Sequence, residues 1–389
     1  MRKVFFIVLF LSCGLYTRGQ DAIFTLIDHN PLSINPAFTN GNGEIQFLSL
    51  SRQQWWNLPG ASALSAAYHM NQASLLYPVI NKKYNGLSLG VQLNRNESGE
   101  GKFGMTDVNF FSAVRKDIHV RYKPAYKVEV GIGLGLKQYN IDWSQLTFSS
   151  QLDPFFGLVN TFPNINPRVS SSNAAVSGSF GISITQNSKW RNRKLSTKFG
   201  GALYHFNKPG ISFFDQTERI NPRYSGHIST ILFPNNRSGI VGSVTSTYYI
   251  LRHNIHHQYP LTTNETRIGT NINGLLTIYS GFRRRKFLIE DQSSDALIWS
   301  IQLNAPGFML SVGYDFTISD LNIQRTSGTT EIGITIPLGV KSKILGRRRA
   351  TEPCYVDYIL SQTEWKAVEQ FNKSSTNWGR SYAPSTYIR

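Results

Sequence analysis

His253, His256 and His257 form the one cluster in the sequence whose spacing suits a metal ion. On a helix the three imidazoles would share a face. No Cys or carboxylate supports them, however, and the surrounding pattern places them in an outer loop, where solvated histidines are expected. Gly131-Ile132-Gly133-Leu134-Gly135 resembles a phosphate loop only superficially. It lacks the G-x-G-x-x-G spacing and the helix that must follow, so small glycines on one face of a strand account for it better. Asp315 and Asp320, flanking a turn, and Asp142 and Asp153, in a long loop, stand at no fixed spacing from a Ser or His that would form a catalytic pair. No enzyme is expected. Arg283-Arg284-Arg285-Lys286 reads as a solvated strand end at an outer rim, where it could meet a polyanion or a partner. Trp55, Trp56, Tyr139, Trp143 and Trp299 suit a membrane girdle, since rings with an apolar body and a polar tip prefer the headgroup layer.

The elements that must carry these residues are marked by period two. In 174–185, Ala174, Val176, Gly178, Phe180, Ile182 and Ile184 alternate with Ala175, Ser177, Ser179, Gly181, Ser183 and Thr185. In 128–137, Val128, Val130, Ile132, Leu134 and Leu136 face one way, while Glu129, Gly131, Gly133, Gly135 and Lys137 face the other. Such alternation means strands with one apolar and one polar face. The polar face is mostly Gly, Ser, Thr, Gln and Asn, as a barrel lumen requires, and several strands reach the length that crosses a bilayer when tilted. Met1-Arg2-Lys3, the apolar run Val4 to Leu11 and the small residues Thr17 and Gly19 before Gln20 read as a secretory signal peptide over 1–19. Phe10 disfavours acylation at Cys13. Cleavage leaves Cys354 alone, which excludes a disulfide scaffold. The formal charge of +17 falls to +14 when Arg2, Lys3 and Arg18 leave with the signal peptide, and in an exported chain it points to anionic lipid, cell wall or an acidic partner, not to nucleic acid.

Fourteen strands are expected, at 44–51, 62–70, 86–94, 107–117, 126–137, 174–185, 196–206, 223–233, 241–252, 266–274, 278–284, 297–303, 308–318 and 330–338. An even count closes an antiparallel transmembrane β-barrel. With both barrel ends in the periplasm, the turn Asn304-Ala305-Pro306-Gly307 falls inside and the segment 138–173 outside. The expected organisation is thus a signal peptide (1–19), an N-terminal plug (20–43), an outer-membrane barrel (44–339) and a basic periplasmic tail (340–389). Two Asn-Pro steps in the plug disfavour helix and suit turns. The tail holds nine Lys and Arg against four Asp and Glu. Within it, Lys341, Lys343, Arg347, Arg348 and Arg349 could bind inner-leaflet phosphates. Trp365, Val368 and Phe371, at spacing three, suggest a short amphipathic helix able to dock on a partner.

These residues resemble a family. Asn30-Pro31 followed by Asn35-Pro36-Ala37-Phe38 is similar to the N-terminal signature of the PorP/SprF proteins of Bacteroidota. Arg52-Gln53-Gln54-Trp55 resembles the family's Arg-x-Gln-Trp step after the first strand, and Tyr204-His205-Phe206-Asn207-Lys208-Pro209 its mid-barrel segment. Gly281-Phe282-Arg283 with Asp295-Ala296-Leu297, then Gly313-Tyr314-Asp315-Phe316, then Gly328-Thr329-Thr330-Glu331-Ile332 follow in family order, though Thr330 stands where His is usual and Ser311 replaces a Gly. The resemblance implies an outer-membrane component of the type IX secretion system, supporting export or surface attachment of large cargo such as gliding-motility adhesins. It implies no catalytic residue and no cofactor, with the secretion machinery, its cargo and outer-membrane lipid as partners. The Asn-Pro-Ala start also resembles the plug of FadL-like channels for hydrophobic small molecules, which supplies the alternative. The long loop and basic tail favour the secretion reading.

Overall fold

A computed structural model describes residues 21–338 except 22, 42, 57–67, 82–84, 100–101, 121–122, 144–145, 147–150, 154, 160–171, 191–192, 211–218, 233–246, 259–260, 273–274, 288–292, 306 and 320–322. The segments read as signal peptide and tail, with Arg347, Arg348, Arg349, Trp365, Val368 and Phe371, lie outside the described residues, as does Asp320.

Fourteen antiparallel strands close into the expected barrel. They are β1 (Gln46–Gln54), β2 (Tyr68–Asn81), β3 (Asn85–Ser98), β4 (Phe103–Val120), β5 (Lys123–Asn140), β6 (Ser172–Trp190) and β7 (Arg193–Tyr204). The second half comprises β8 (Arg223–Leu232), β9 (Thr247–Gln258), β10 (Leu261–Ile272), β11 (Leu276–Phe287), β12 (Ser293–Ala305), β13 (Phe308–Thr317) and β14 (Thr329–Pro337). Each pairs with its chain neighbour, and β1 closes on β14 from Gln46↔Pro337 to Gln54↔Thr329. The connections 82–84, 121–122, 191–192, 273–275 and 306–307 are short and share one end with the longer 233–246, while 141–171 and 205–222 lie at the other. Among the described residues no helix is long and apolar enough to cross a membrane.

Period two fixes the two faces. Val176, Phe180 and Ile182 point outward, while Ser177, Ser179 and Ser183 are buried inside, and Ile132, Leu134 and Leu136 are likewise exposed. β1 reverses the pattern. Leu48 and Leu50 are buried in the lumen, and Ser49, Ser51 and Gln53 face out. The reason lies inside the barrel, where residues 23–41 form a short 3-10 turn (Ile27–His29) and a one-turn helix α1 (Pro31–Ile34). Pro31 opens α1 at the position where its missing N–H costs nothing. Leu32 packs with Leu48, Leu76, Phe111, Ala202 and Tyr204, and Phe24 and Leu26 pack with Leu50. Among the described residues, these buried apolar clusters are therefore contacts between the barrel wall and its own N-terminal segment.

Several expectations are corrected. Strands β4 and β6 run well past the expected bounds, because polar residues continue the ladder where the alternating apolar pattern stops. Of the expected strand 62–70, residues 62–67 lie outside the described residues, and the described strand runs on from Tyr68 to Asn81, with a register shift between Pro78 and Ile80. Of the expected strand 241–252, residues 241–246 lie outside the described residues, and the described strand runs on from Thr247 to Gln258, so the histidine cluster lies in β9 and not in a loop. Alternation then turns His253 and His257 outward, where they pair with Thr266 and Thr262, and His256 inward. Opposite faces of a sheet cannot share a metal ion. Arg52 lies within β1, since that strand runs to Gln54 and does not stop at 51.

Candidate functional site

The resemblance residues converge where the lumen holds the N-terminal segment. Thr25 is the centre. Its N–H donates to both oxygens of Glu331 at 2.8 and 2.9 Å, and the Leu26 N–H donates to Glu331 Oε2 at 2.7 Å. The Thr25 hydroxyl donates to the Asp315 carboxylate at 2.8 Å and accepts from Arg52 at 3.1 Å and Arg283 at 2.6 Å. Arg267 donates to the Thr25 carbonyl.

The same side chains pair with one another. Arg52 bridges Asp315 at 3.0 Å and also Glu331, while Arg283 bridges Asp315 and Glu265, each at 2.8 Å. Arg267 lies 3.0 Å from Glu265. Three guanidiniums and three carboxylates thus balance in a buried cluster, where an unpaired charge would be costly. Arg283 is 1% exposed, which corrects its reading as a solvated rim residue, and within that basic run only Arg284 and Lys286 are exposed. Asp315 is likewise inside the lumen in the course of β13 and does not flank a turn. Tyr139 leaves the proposed girdle too, because it is buried with Met105 and Ile220. Trp56 and Trp299 are exposed, and Trp55 and Trp143 half-buried.

A second grip holds the Asn35-Pro36-Ala37 step. The Asn35 amide donates to the carbonyls of Ile182 and Gly201 at 2.9 and 3.1 Å, and its Oδ1 accepts the Ala37 N–H at 2.9 Å. Pro36 and Ala37 lie so close to the wall that a Cβ on Gly131 would sit 2.4 Å from the Pro36 carbonyl oxygen. One on Gly181 would sit 2.0 Å from Asn35 Oδ1. These two glycines are small because the segment passes directly over them. Asn30 accepts from Gln92 at 3.2 Å, Leu32 from the Tyr204 hydroxyl at 2.6 Å and Ser33 from Arg223 at 2.9 Å, each on its own oxygen. His29 is wedged between Thr335 at 2.9 Å and Ser311 at 2.7 Å, and burial pushes its imidazole down to about 4.

At the far end of the segment, Asp21 meets Lys137 at 3.0 Å, His205 at 2.7 Å and Arg223 at 3.4 Å. Burial opposes the charge, but His205, Lys137 and Arg223 outweigh it and hold the Asp21 carboxyl well below its usual range. His205 takes a positive φ of 57° just past β7 and also pairs with Ser177 at 2.6 Å.

The remaining resemblance residues shape the frame. Pro31 opens α1, Gln54 ends β1, Pro209 accepts the Ile220 N–H on its carbonyl, and Gly313 leaves room for Leu26. The Tyr314 hydroxyl donates to the Ser327 carbonyl. Asn30, Asn35, Arg52, His205, Asp315 and Glu331 meet around one segment, although they are scattered along the chain. Lys137, Glu265 and Arg267 belong to the same contacts and escaped sequence reading. Their one available signal was a charge on the lumen side of a period-two strand. The arrangement is suited to holding polypeptide. Among the described residues no group of three or more His, Cys, Asp and Glu is placed to bind a metal ion.

Comparison with known proteins matches one family model, described as type IX secretion system membrane protein PorP/SprF, over residues 17–336. No curated protein matches the chain. Among solved structures, the siderophore receptor PirA from Pseudomonas aeruginosa is similar at 8% identity and TM-score 0.29, over 72% of this chain and 44% of its own. CdiB from Acinetobacter baumannii is similar at 9% identity and TM-score 0.37, over 75% of this chain and 60% of its own. This chain thus spans less than two thirds of either protein. The monoaromatic hydrocarbon channel CymD is similar at 10% identity and TM-score 0.42, over 83% of this chain and 96% of its own.

Proposed function

We propose a role that starts from membership: the chain belongs to the PorP/SprF family of type IX secretion system membrane proteins, and is an outer-membrane component of that system. Within it, the chain acts without catalysis, supporting export or surface attachment of large cargo proteins such as gliding adhesins. The observation that carries this reading beyond the family is the lumen. A route for hydrophobic compounds needs a continuous apolar path or a side opening. Here Arg52, Arg267 and Arg283 with Glu265, Asp315 and Glu331 stand across the interior, bonded to a buried segment of the same chain. An apolar solute passing that point would have to strip paired charges of their partners. A barrel filled in this way is suited to work through its outer wall, its long loops and its tail. In this reading 1–19 is removed on export and 340–389 lies in the periplasm, with Trp365, Val368 and Phe371 contacting the machine.

Isolation of the tagged protein from gently solubilised outer membranes tests the role. Other secretion subunits are expected to accompany it. Isolation of the barrel alone, combined with flux of hydrophobic compounds into liposomes that contain it, would favour the FadL-like alternative.

A further inference from the structure

Asp21 is the first described residue of the N-terminal segment, and Lys137, His205 and Arg223 hold its carboxylate. Beside it lies a cavity whose wall includes Asn94, Asn96, Asp107 and Asn109. Register sets Asn94 of β3 next to Asp107 of β4, and Asp107 next to Lys137 of β5, so the three share one level of the lumen. Asp107 is 4% exposed. Its Oδ2 accepts from the Asn94 amide at 3.1 Å and the Asn109 amide at 2.6 Å, but among the described residues no donor meets its Oδ1. The same holds for Oδ1 of Asn94 and Oδ1 of Asn96, which are also buried atoms. Lys137 and Arg223 lie against Asp21, whereas among the described residues no cation lies in ion-pair contact with Asp107. Buried acceptors without donors are costly. A compact cation with three N–H groups would serve all three oxygens.

We infer that this cavity receives the α-ammonium group that signal-peptide cleavage creates on Gln20. The inference rests on the reading that 1–19 is removed on export. Cleavage there puts the new amine on the residue that precedes Asp21, and one residue spans at most about 3.6 Å. The Asp21 carboxylate, fixed by three partners at the edge of the cavity, therefore delivers the amine to its wall. Three N–H donors and one positive charge then meet one carboxylate and two amide oxygens. A free metal ion could use the same oxygens, but the amine is tethered beside them and so competes at a high effective concentration. An uncleaved chain cannot make this contact, because its residue 20 offers one peptide N–H and no charge. Removal of the signal peptide thus completes the docking of the segment that fills the lumen.

Labelling of the full mature chain with a reagent selective for α-amines, after isolation from outer membranes in mild detergent, tests it. Mass spectrometry of the N-terminal peptide should show a chain that begins at Gln20 with a free amine. In the folded barrel that amine should react at least about tenfold more slowly than in the unfolded chain, the factor that one charge-assisted hydrogen bond supplies. Asp107→Asn, and separately Asn96→Ala, should raise the rate towards the unfolded value. Heat-modifiable mobility confirms that each barrel has assembled, and hydrogen exchange of 23–41 should match the parent. A free amine on Gln20 that reacts equally fast folded and unfolded would overturn the proposal and leave the cleavage reading intact. So would a Gln20 closed into a cyclic lactam, which has no ammonium group, or an unchanged rate in both assembled variants. Faster exchange throughout 23–41 in both variants would show general loosening of the segment and would likewise overturn it. A chain that begins at another residue would remove the cleavage reading and the inference with it.

Discussion

Glu331→Gln isolates the contact that holds the N-terminal segment. The carboxylate accepts two backbone N–H groups, from Thr25 and Leu26, and bridges Arg52 at 1% exposure. Glutamine keeps the volume and one acceptor, but it removes the charge and turns an N–H₂ group towards other donors. Three positive charges then face two negative ones. Breaking a buried ion pair from one side costs about 3–5 kcal/mol. Arg52 retains Asp315 at 3.0 Å, which favours the lower part of that range. At about 1.4 kcal/mol per decade, the detached state of the segment should rise roughly 10²- to 10³-fold. Hydrogen exchange read by mass spectrometry reports this directly: amides in 23–41 should exchange faster by that factor, while the strands of the wall keep their protection. Glu97→Gln removes an exposed pair with Arg95 and should leave 23–41 unchanged. Unaltered exchange of 23–41 in Glu331→Gln would refute the grip. Loss of protection throughout the barrel would show Glu331 to be a general stabilising residue instead.

Three further outcomes are expected. Gly131→Ala places a methyl 2.4 Å from the Pro36 carbonyl oxygen, so it should loosen the same segment by about 1–3 kcal/mol in the same exchange experiment. Phe180→Arg puts a charge on the lipid face and should destabilise the barrel by roughly 2–4 kcal/mol in reversible folding, with Phe180→Leu nearly neutral. His29 has a folded pKa of about 4, below its ordinary 6.5, so the unfolded chain binds the proton first. Through His29, segment docking should therefore lose about 3 kcal/mol as the pH drops from 6.5 towards 4, and His29→Gln should shrink the dependence seen in exchange across that range, leaving the part carried by His205, whose pKa burial also lowers.

The wall was legible where lipid imposes its pattern. In 126–137 and 174–185 every second residue is apolar, and both strands lie there with the expected facing. Legibility fails where something other than lipid meets the sheet. β1 carries its leucines inward because Phe24, Leu26 and Leu32 cover them. β9 continues through His253, Ile255 and His257, whose outward histidines interrupt the apolar run and suggest a loop. Strand ends beyond the hydrocarbon, as in β4, have no reason to alternate. The grip on Thr25 draws on β1, β10, β11, β13 and β14, and no sequence spacing joins five strands. Resemblance named Arg52, Asp315 and Glu331 but did not say that they meet. Arg283 was misread because a run of four cations resembles a solvated end, whereas alternation buries one of its members and exposes the next.

The central claim is a secretion component whose lumen is occupied by its own N-terminal segment. It is tested most directly by comparing the surface proteome and hydrophobic-nutrient uptake of a deletion strain with those of its parent. The account predicts that one or a few large proteins disappear from the cell surface while uptake is unchanged. Unchanged surface proteins with impaired uptake would contradict it.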